Sequence, residues 1–254
     1  MSLGLAAQII CIAALAMLAL AGCDAMPGRP RQADRPPLAS EVTAFTALYG
    51  QNCAGCHGAD GRLGAARPLN DPIYLALTPR ERLRTIIAQG VPDTAMPAFA
   101  VSAGGPLTEA QIDALVSAML TRWSQPALVK DLTLPPYDAA EAIADGSSSP
   151  GDPEQGREVY AVACADCHGA DGSGGQKGGS VVDASYLALV SDQALRTAII
   201  AGRTDLGMPD WRGDIPGQPL TPQQIADVVA WLTSHRMPVV GRLGPTADAG
   251  RQSP

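Results

Sequence analysis

Aromatic side chains are scarce in this chain, with two Phe, three Trp and five Tyr among 254 residues. Rings supply much of the buried bulk in ordinary cores, so another apolar body has to fill this one. Histidine is scarcer still: His57, His168 and His235 are the whole complement. Three imidazoles, no Ser/His/Asp arrangement and no glycine-rich phosphate loop exclude the common hydrolytic and nucleotide-dependent chemistries. Basic charge is thin as well. Lys and Arg number 18 against 25 Asp and Glu, with no basic run, which excludes a nucleic-acid surface. The net charge of −7 is uneven, about −1 over residues 40–125 and about −5 over residues 152–241. The second half either steers a basic redox partner or is a solvated acidic face.

Cysteine is present in a pattern. Cys53-Ala-Gly-Cys56-His57 is followed 111 residues later by Cys164-Ala-Asp-Cys167-His168. A bare C-x-x-C is a zinc half-site or a redox dithiol. Zinc needs further ligands, and only Cys11, Cys23 and His235 remain outside the pentads. With histidine directly after it, the pair is the attachment signature of a c-type haem. Two thiols two residues apart each form a thioether with one vinyl group, and the adjacent imidazole reaches the iron. The expected cofactors are two covalently bound haem c, held by Cys53, Cys56, Cys164 and Cys167. They also explain the missing rings, because each haem serves as the largest apolar body of a small core.

Charge is absent before Asp24, and Leu3 to Ala21 are apolar apart from Gln8. The run has the length of a membrane span, yet it ends in Leu20-Ala21-Gly22-Cys23, which resembles the lipobox of bacterial lipoproteins. That resemblance implies a signal peptide over residues 1–22 and an acylated Cys23; an uncleaved helical anchor is the alternative. Either places the remainder on the periplasmic side of the cytoplasmic membrane, where c-type haems are attached. Asp24 resembles the signal that retains lipoproteins on the inner membrane.

Superposing the pentads reveals a duplication. Tyr49 falls on Tyr160, and His57-Gly-Ala-Asp-Gly61 on His168-Gly-Ala-Asp-Gly172. Tyr74-Leu-Ala-Leu77 then matches Tyr186-Leu-Ala-Leu189, Gly90 matches Gly202, and Met96-Pro97 matches Met208-Pro209. The expected organisation is a tether over 23–39, one domain over 40–125, a Pro/Ser-rich linker over 126–151, a second domain over 152–241 and a flexible tail over 242–254. The linker is expected to hold a short helical piece around Asp138–Ala144. Each domain should hold a helix before its pentad, opened in the second by Asp152-Pro153. A second helix is expected over Pro79–Gln89 and Asp192–Ala201, ended by glycine. The last starts at Thr108 or Thr221, with apolar residues at helical spacing. No strand pattern emerges, so the fold is expected to be all-α.

These features together resemble the class I cytochrome c family over residues 40–125 and 152–241. The resemblance implies two tandem domains, each a small helical bundle around one haem. His57 and His168 are then proximal iron ligands, with Met96 and Met208 as sixth ligands. Thioether is a soft, neutral donor that raises the potential, and both methionines lie in Gly/Pro-rich loops rather than on a helix face. Met119 reads as core, and His235 as a helix-end residue. The family's proline is matched by Pro68, whose carbonyl would take the imidazole hydrogen; Ser180-Val181 stand there in the second domain. Arg84 and Arg196 are candidate propionate partners. First and last helices should cross large against small, Gly156 facing Trp231 and Phe45 facing Ala118.

The implied function is electron transfer rather than catalysis: a membrane-anchored dihaem cytochrome passing electrons between respiratory or photosynthetic partners. The alternative is the cytochrome subunit of a quinol-oxidising, dehydrogenase or oxidase complex. A catalytic dihaem oxidoreductase is the lesser alternative: it would need an openable haem and acid–base groups, and no histidine is available for acid–base work in a haem pocket.

Overall fold

The computed structural model describes residues 35–92, 94–213 and 218–237. The lipobox, Cys23 and the tail lie outside the described residues. Among the described residues, 35–41 belong to one unit, with one 3-10 turn at Ala39–Glu41, and those from Val42 onward to a second compact unit. Regular structure among the described residues is helical, the only β contacts being isolated bridges at Ala100–Leu107 and Arg203–Met208. No described helix is long and apolar enough to cross a membrane.

Each repeat is the same series of helices. The first has α1 (Phe45–Asn52), α2 (Ala54–His57), α3 (Pro72–Leu77), α4 (Arg80–Gln89) and α5 (Glu109–Trp123). Between the repeats lie α6 (Pro126–Val129) and α7 (Ala139–Ala144). The second has α8 (Pro153–Ala163), α9 (Ala165–His168), α10 (Ala184–Leu189), α11 (Asp192–Ala201) and α12 (Pro222–Ser234).

Local chemistry sets the boundaries. Asp152 caps α8 by accepting from the N–H groups of Glu154 and Gln155, with Pro153 at the first helical position. Thr108 and Thr221 each form a reciprocal capping box with Gln111 and Gln224. From those caps the last helices run with one apolar face. Ile112, Leu115, Val116 and Met119 are buried on α5, and Ile225, Val228, Trp231 and Leu232 on α12. Each such side chain contributes roughly 1.5–3 kcal/mol of burial, so these two helices carry much of the core.

The first and last helices of the second repeat cross at a glycine. A Cβ on Gly156 would lie 2.0 Å from the Asp227 carbonyl oxygen and 2.8 Å from Trp231 Cβ, so small faces large as expected. In the first repeat the ring of Phe45 stacks on Tyr49 at 5.2 Å and meets Trp123 edge-on at 5.4 Å. Phe45 therefore packs against a large ring of α5. Trp123, five positions beyond Ala118, presses its ring towards Gly61, as Trp231 does towards Gly172.

The segment between the repeats is strapped down. Tyr137 and Ala142 are buried. Arg82 of α4 pairs with Asp138 at 3.2 Å. From α11, Gln193 and Arg196 donate to the carbonyls of Tyr137 and Pro136 at 2.8 and 2.9 Å.

Candidate functional site

Each pentad lies on a single helical turn that continues the helix before it. Cys53 ends α1, its N–H donating to Tyr49 O at 2.8 Å, and Cys164 ends α8 in the same way at 2.9 Å. The histidine is then reached by the following turn, with His57 N–H and His168 N–H both returning to the first cysteine's carbonyl at 3.0 Å. A buried tyrosine pins the far end: Tyr49 donates to Gly58 O at 2.9 Å and Tyr160 to Gly169 O at 2.7 Å. Burial pushes the Tyr160 phenol up to about 12, so it stays a donor at any ordinary pH. The tyrosine match had marked the pair as equivalent without indicating this contact.

The thiols are free of disulfides. Burial, reinforced by the neighbouring thiol, pushes Cys53 and Cys164 up to about 11. No group of three or more Cys, His, Asp or Glu able to hold a metal ion occurs among the described residues, and a neutral thiol is the form that adds across a vinyl group. The imidazoles are prepared as well. His57 Nδ1 lies 2.7 Å from the Arg67 carbonyl oxygen, and His168 Nδ1 2.8 Å from that of Gly179. A carbonyl only accepts, so Nδ1 carries the proton, and in the neutral ring Nε2 is then the nitrogen with the lone pair. Burial also holds His57 below the usual imidazole range, which favours the neutral form.

The acceptor therefore differs from the expected one. It is the carbonyl of Arg67, one residue before Pro68, and the second repeat has its counterpart in Gly179 despite lacking the proline. Gly178 makes room there, since a Cβ on it would meet His168 Nδ1 at 2.8 Å.

Both methionines lie in the loop after the second long helix. That helix ends at a glycine with φ of 70° (Gly90) or 72° (Gly202). A Cβ there would fall 2.7 Å from the carbonyl oxygen of Met96 or Met208, so glycine is required twice, by conformation and by close approach. The methionine carbonyl accepts from the residue after that glycine, Val91 or Arg203, at 3.1 Å in each case. Met96 and Met208 are both half-buried.

The expected propionate partners are committed elsewhere. Arg84 is held by Asp113 at 2.8 Å and by Glu109, and Arg196 by the carbonyls of the interrepeat segment. Arg196 keeps one buried Nη1 without a partner, and Arg67, beside the first pentad, does so too. The Arg67 guanidinium sits 4.8 Å over the Tyr74 ring. His235 packs edge-on against Trp231 at 4.7 Å and its Nδ1 lies 2.8 Å from Trp231 O, a helix-end role as anticipated.

Known proteins extend this picture. FixP, a cbb3-type cytochrome c oxidase subunit from Rhizobium meliloti (strain 1021), is 30% identical over 181 residues, covering 67% of this chain and 54% of FixP. FixP of Sinorhizobium medicae (strain WSM419) is 30% identical over 184 residues with the same coverage. This chain thus spans about half the length of those relatives. The dihydro-heme d1 dehydrogenase of Pseudomonas aeruginosa is 44% identical over 71 residues, 28% of this chain and 13% of that enzyme. The family described as "Cytochrome C oxidase, cbb3-type, subunit III" matches residues 40–117 and 151–232, one segment per pentad. A family match repeated over both helical units, on a fold whose pentads and methionine loops are built alike, means that the chain belongs to the cbb3-type subunit III family of c-type cytochromes.

Proposed function

We propose that this chain binds two haem c and acts as the electron-transferring cytochrome subunit of a membrane oxidase complex, on the outer face of a bacterial cytoplasmic membrane. The doubled site carries the proposal. Each repeat offers two thiols outside any disulfide, an imidazole whose Nδ1 is held by a backbone carbonyl, and a methionine held in a glycine-bounded loop by its own carbonyl. Cys53, Cys56 and His57 would hold one haem with Met96 as sixth ligand; Cys164, Cys167 and His168 would hold the other with Met208. When bound, haem c supplies an Fe(II)/Fe(III) couple, and His/Met ligation poises it high.

The chain's own groups then have limited tasks. The Arg67 and Gly179 carbonyls fix the imidazole tautomer and raise its basicity. The tyrosines pin the pentads, and the glycines admit the methionine carbonyls. If His57 with Met96, and His168 with Met208, hold the two irons, the chain would leave no open position for a substrate, which matches transfer rather than catalysis. Membership of a complex is favoured over a free carrier because the FixP relatives are named as oxidase subunits and a shorter stretch recurs within a dehydrogenase.

Native electrophoresis of mildly solubilised membranes tests this directly. The cytochrome should migrate with cytochrome c oxidase activity and yield two haem c per chain by pyridine haemochrome. Migration alone would make it a carrier. The anchor has its own test: Cys23→Ser should leave an uncleaved precursor or release the protein from membranes, with its haem intact. Mature wild-type protein found soluble with an unmodified N-terminus would remove the lipid anchor from the proposal.

A further inference from the structure

The loop that carries Met208 is held from outside its own repeat. Arg203 and Asp205 pair through Nε–Oδ1 at 3.0 Å and Nη2–Oδ2 at 3.1 Å. The Asp205 side chain is only 1% exposed. The same turn reaches into the first repeat at three points. Leu63 N–H donates to Asp205 Oδ2 at 3.0 Å, Arg203 Nη2 donates to Gly64 O at 3.2 Å, and Thr204 Oγ1 donates to Asp71 Oδ2 at 3.1 Å.

The receiving segment belongs to the first haem site. A Cβ on Gly64 would lie 2.2 Å from Cys56 O, and Asp71 caps α3 through its other oxygen. Leu63 is the one described non-glycine residue with positive φ, 59°. Its side chain is 70% exposed, so packing does not explain that costly conformation. Its N–H is held by Asp205 instead, and conformations of this kind cluster at functional sites. On the other side of the turn, Arg203 and Met208 exchange both backbone hydrogen bonds, at 3.1 and 3.0 Å. The seam and the methionine are two sides of one short turn.

The first repeat has a different arrangement. Val91 and Pro92 stand where Arg203 and Thr204 do, and Met96 N–H is held instead by the hydroxyl of Thr94 in its own loop, at 3.2 Å.

We propose that the first repeat positions Met208: Asp205 is the positioning residue, Leu63, Gly64 and Asp71 are its seat, and the strength of sixth ligation at the second haem is set across the seam. This rests on Met208 being an iron ligand, as proposed above. The test uses the full dihaem protein with Asp205→Asn and, separately, Asp71→Ser, which keeps a capping oxygen for α3 while removing the acceptor of Thr204. Thr204→Val serves as a milder third variant. The readouts are the far-red Met–iron charge-transfer absorption of oxidised protein and carbon monoxide binding by reduced protein.

Asp205→Asn and Asp71→Ser should each raise the rate of carbon monoxide binding about tenfold at one haem of the two, the scale expected for a lost charge-assisted hydrogen bond, and Thr204→Val should raise it less. That gain should persist in a Met96→Ala background and vanish in Met208→Ala. Asp71→Ser is decisive, because it lies in the first repeat and is read at the second haem. Variants that leave both haems as in wild type, or that open the Met96 site instead, overturn the proposal. If wild-type protein lacks the absorption of two Met-ligated haems, the ligand assignment has failed, and the positioning proposal fails with it.

Discussion

Reduced Met208→Ala protein will bind one carbon monoxide per chain, Met96→Ala protein will bind one at the other site, and wild-type protein will bind none or only slowly. A six-coordinate low-spin haem has no place for carbon monoxide until a ligand leaves. In each variant the far-red charge-transfer absorption should fall to half. The altered haem's potential should drop, since the thioether is the ligand that raises it. Axial ligation spans roughly 0.8 V across haem proteins, so a shift on the order of 0.1 V or more is expected in a redox titration. The loop should survive the change, because the backbone holds it: Gly90 and Gly202 admit the methionine carbonyls, and Val91 and Arg203 donate to them. Rapid carbon monoxide binding by wild-type protein at one haem would turn that repeat into a catalytic site and displace the electron-transfer reading.

Trp231→Ala should cost about 3–5 kcal/mol of stability, the range for emptying a buried aromatic site. Trp231 is 7% exposed, packs on Tyr160 with ring centroids 4.1 Å apart and fills the space above Gly156 and Gly172. The cavity would adjoin Tyr160, whose hydroxyl pins the second pentad, so the absorption of that haem should broaden while Met208 stays bound. Gly156→Ala attacks the same crossing from the opposite side. Its Cβ would lie 2.0 Å from a backbone oxygen, a clash no rotamer relieves, so α8 and α12 must separate. Denaturant unfolding followed by far-ultraviolet dichroism measures both. A loss below about 1 kcal/mol for Trp231→Ala would show that the crossing contributes little.

Much of this was legible in one sequence because the repeat prints it twice. Caps at Asp152, Thr108 and Thr221, glycine stops at Gly90 and Gly202, and the apolar stripes of the last helices all rest on local chemistry. What escaped was either short or relational. Pro72–Leu77 and Ala184–Leu189 have six residues each, too few to show a helical period; the signal available was the aspartate before each, Asp71 and Asp183, which caps the first turn. The imidazole acceptor was assigned one residue late because a carbonyl carries no side-chain signature. Arg84 and Arg196 resembled free cations until the structure supplied their partners. Trp123 reaches Gly61 as Trp231 reaches Gly172, from five positions beyond the residue aligned with Trp231, a likeness in space that alignment of the repeats hides. The seam at Asp205 joins residues about 140 apart in sequence, beyond any local pattern.

The seam also bears on how a duplicated chain acquires a sense of direction. Two like units paired about a two-fold axis would offer each other the same surface. Here the earlier unit lends the segment beside its cysteines and the later one lends its methionine turn, a head-to-tail contact between unlike faces. With Val91 and Pro92 in place of Arg203 and Thr204, the guanidinium and hydroxyl donors of the seam have no counterparts in the first repeat. The halves have therefore ceased to be interchangeable: a chain with their order exchanged would keep every pentad and every methionine, yet the covalent connection would no longer bring the matching faces together.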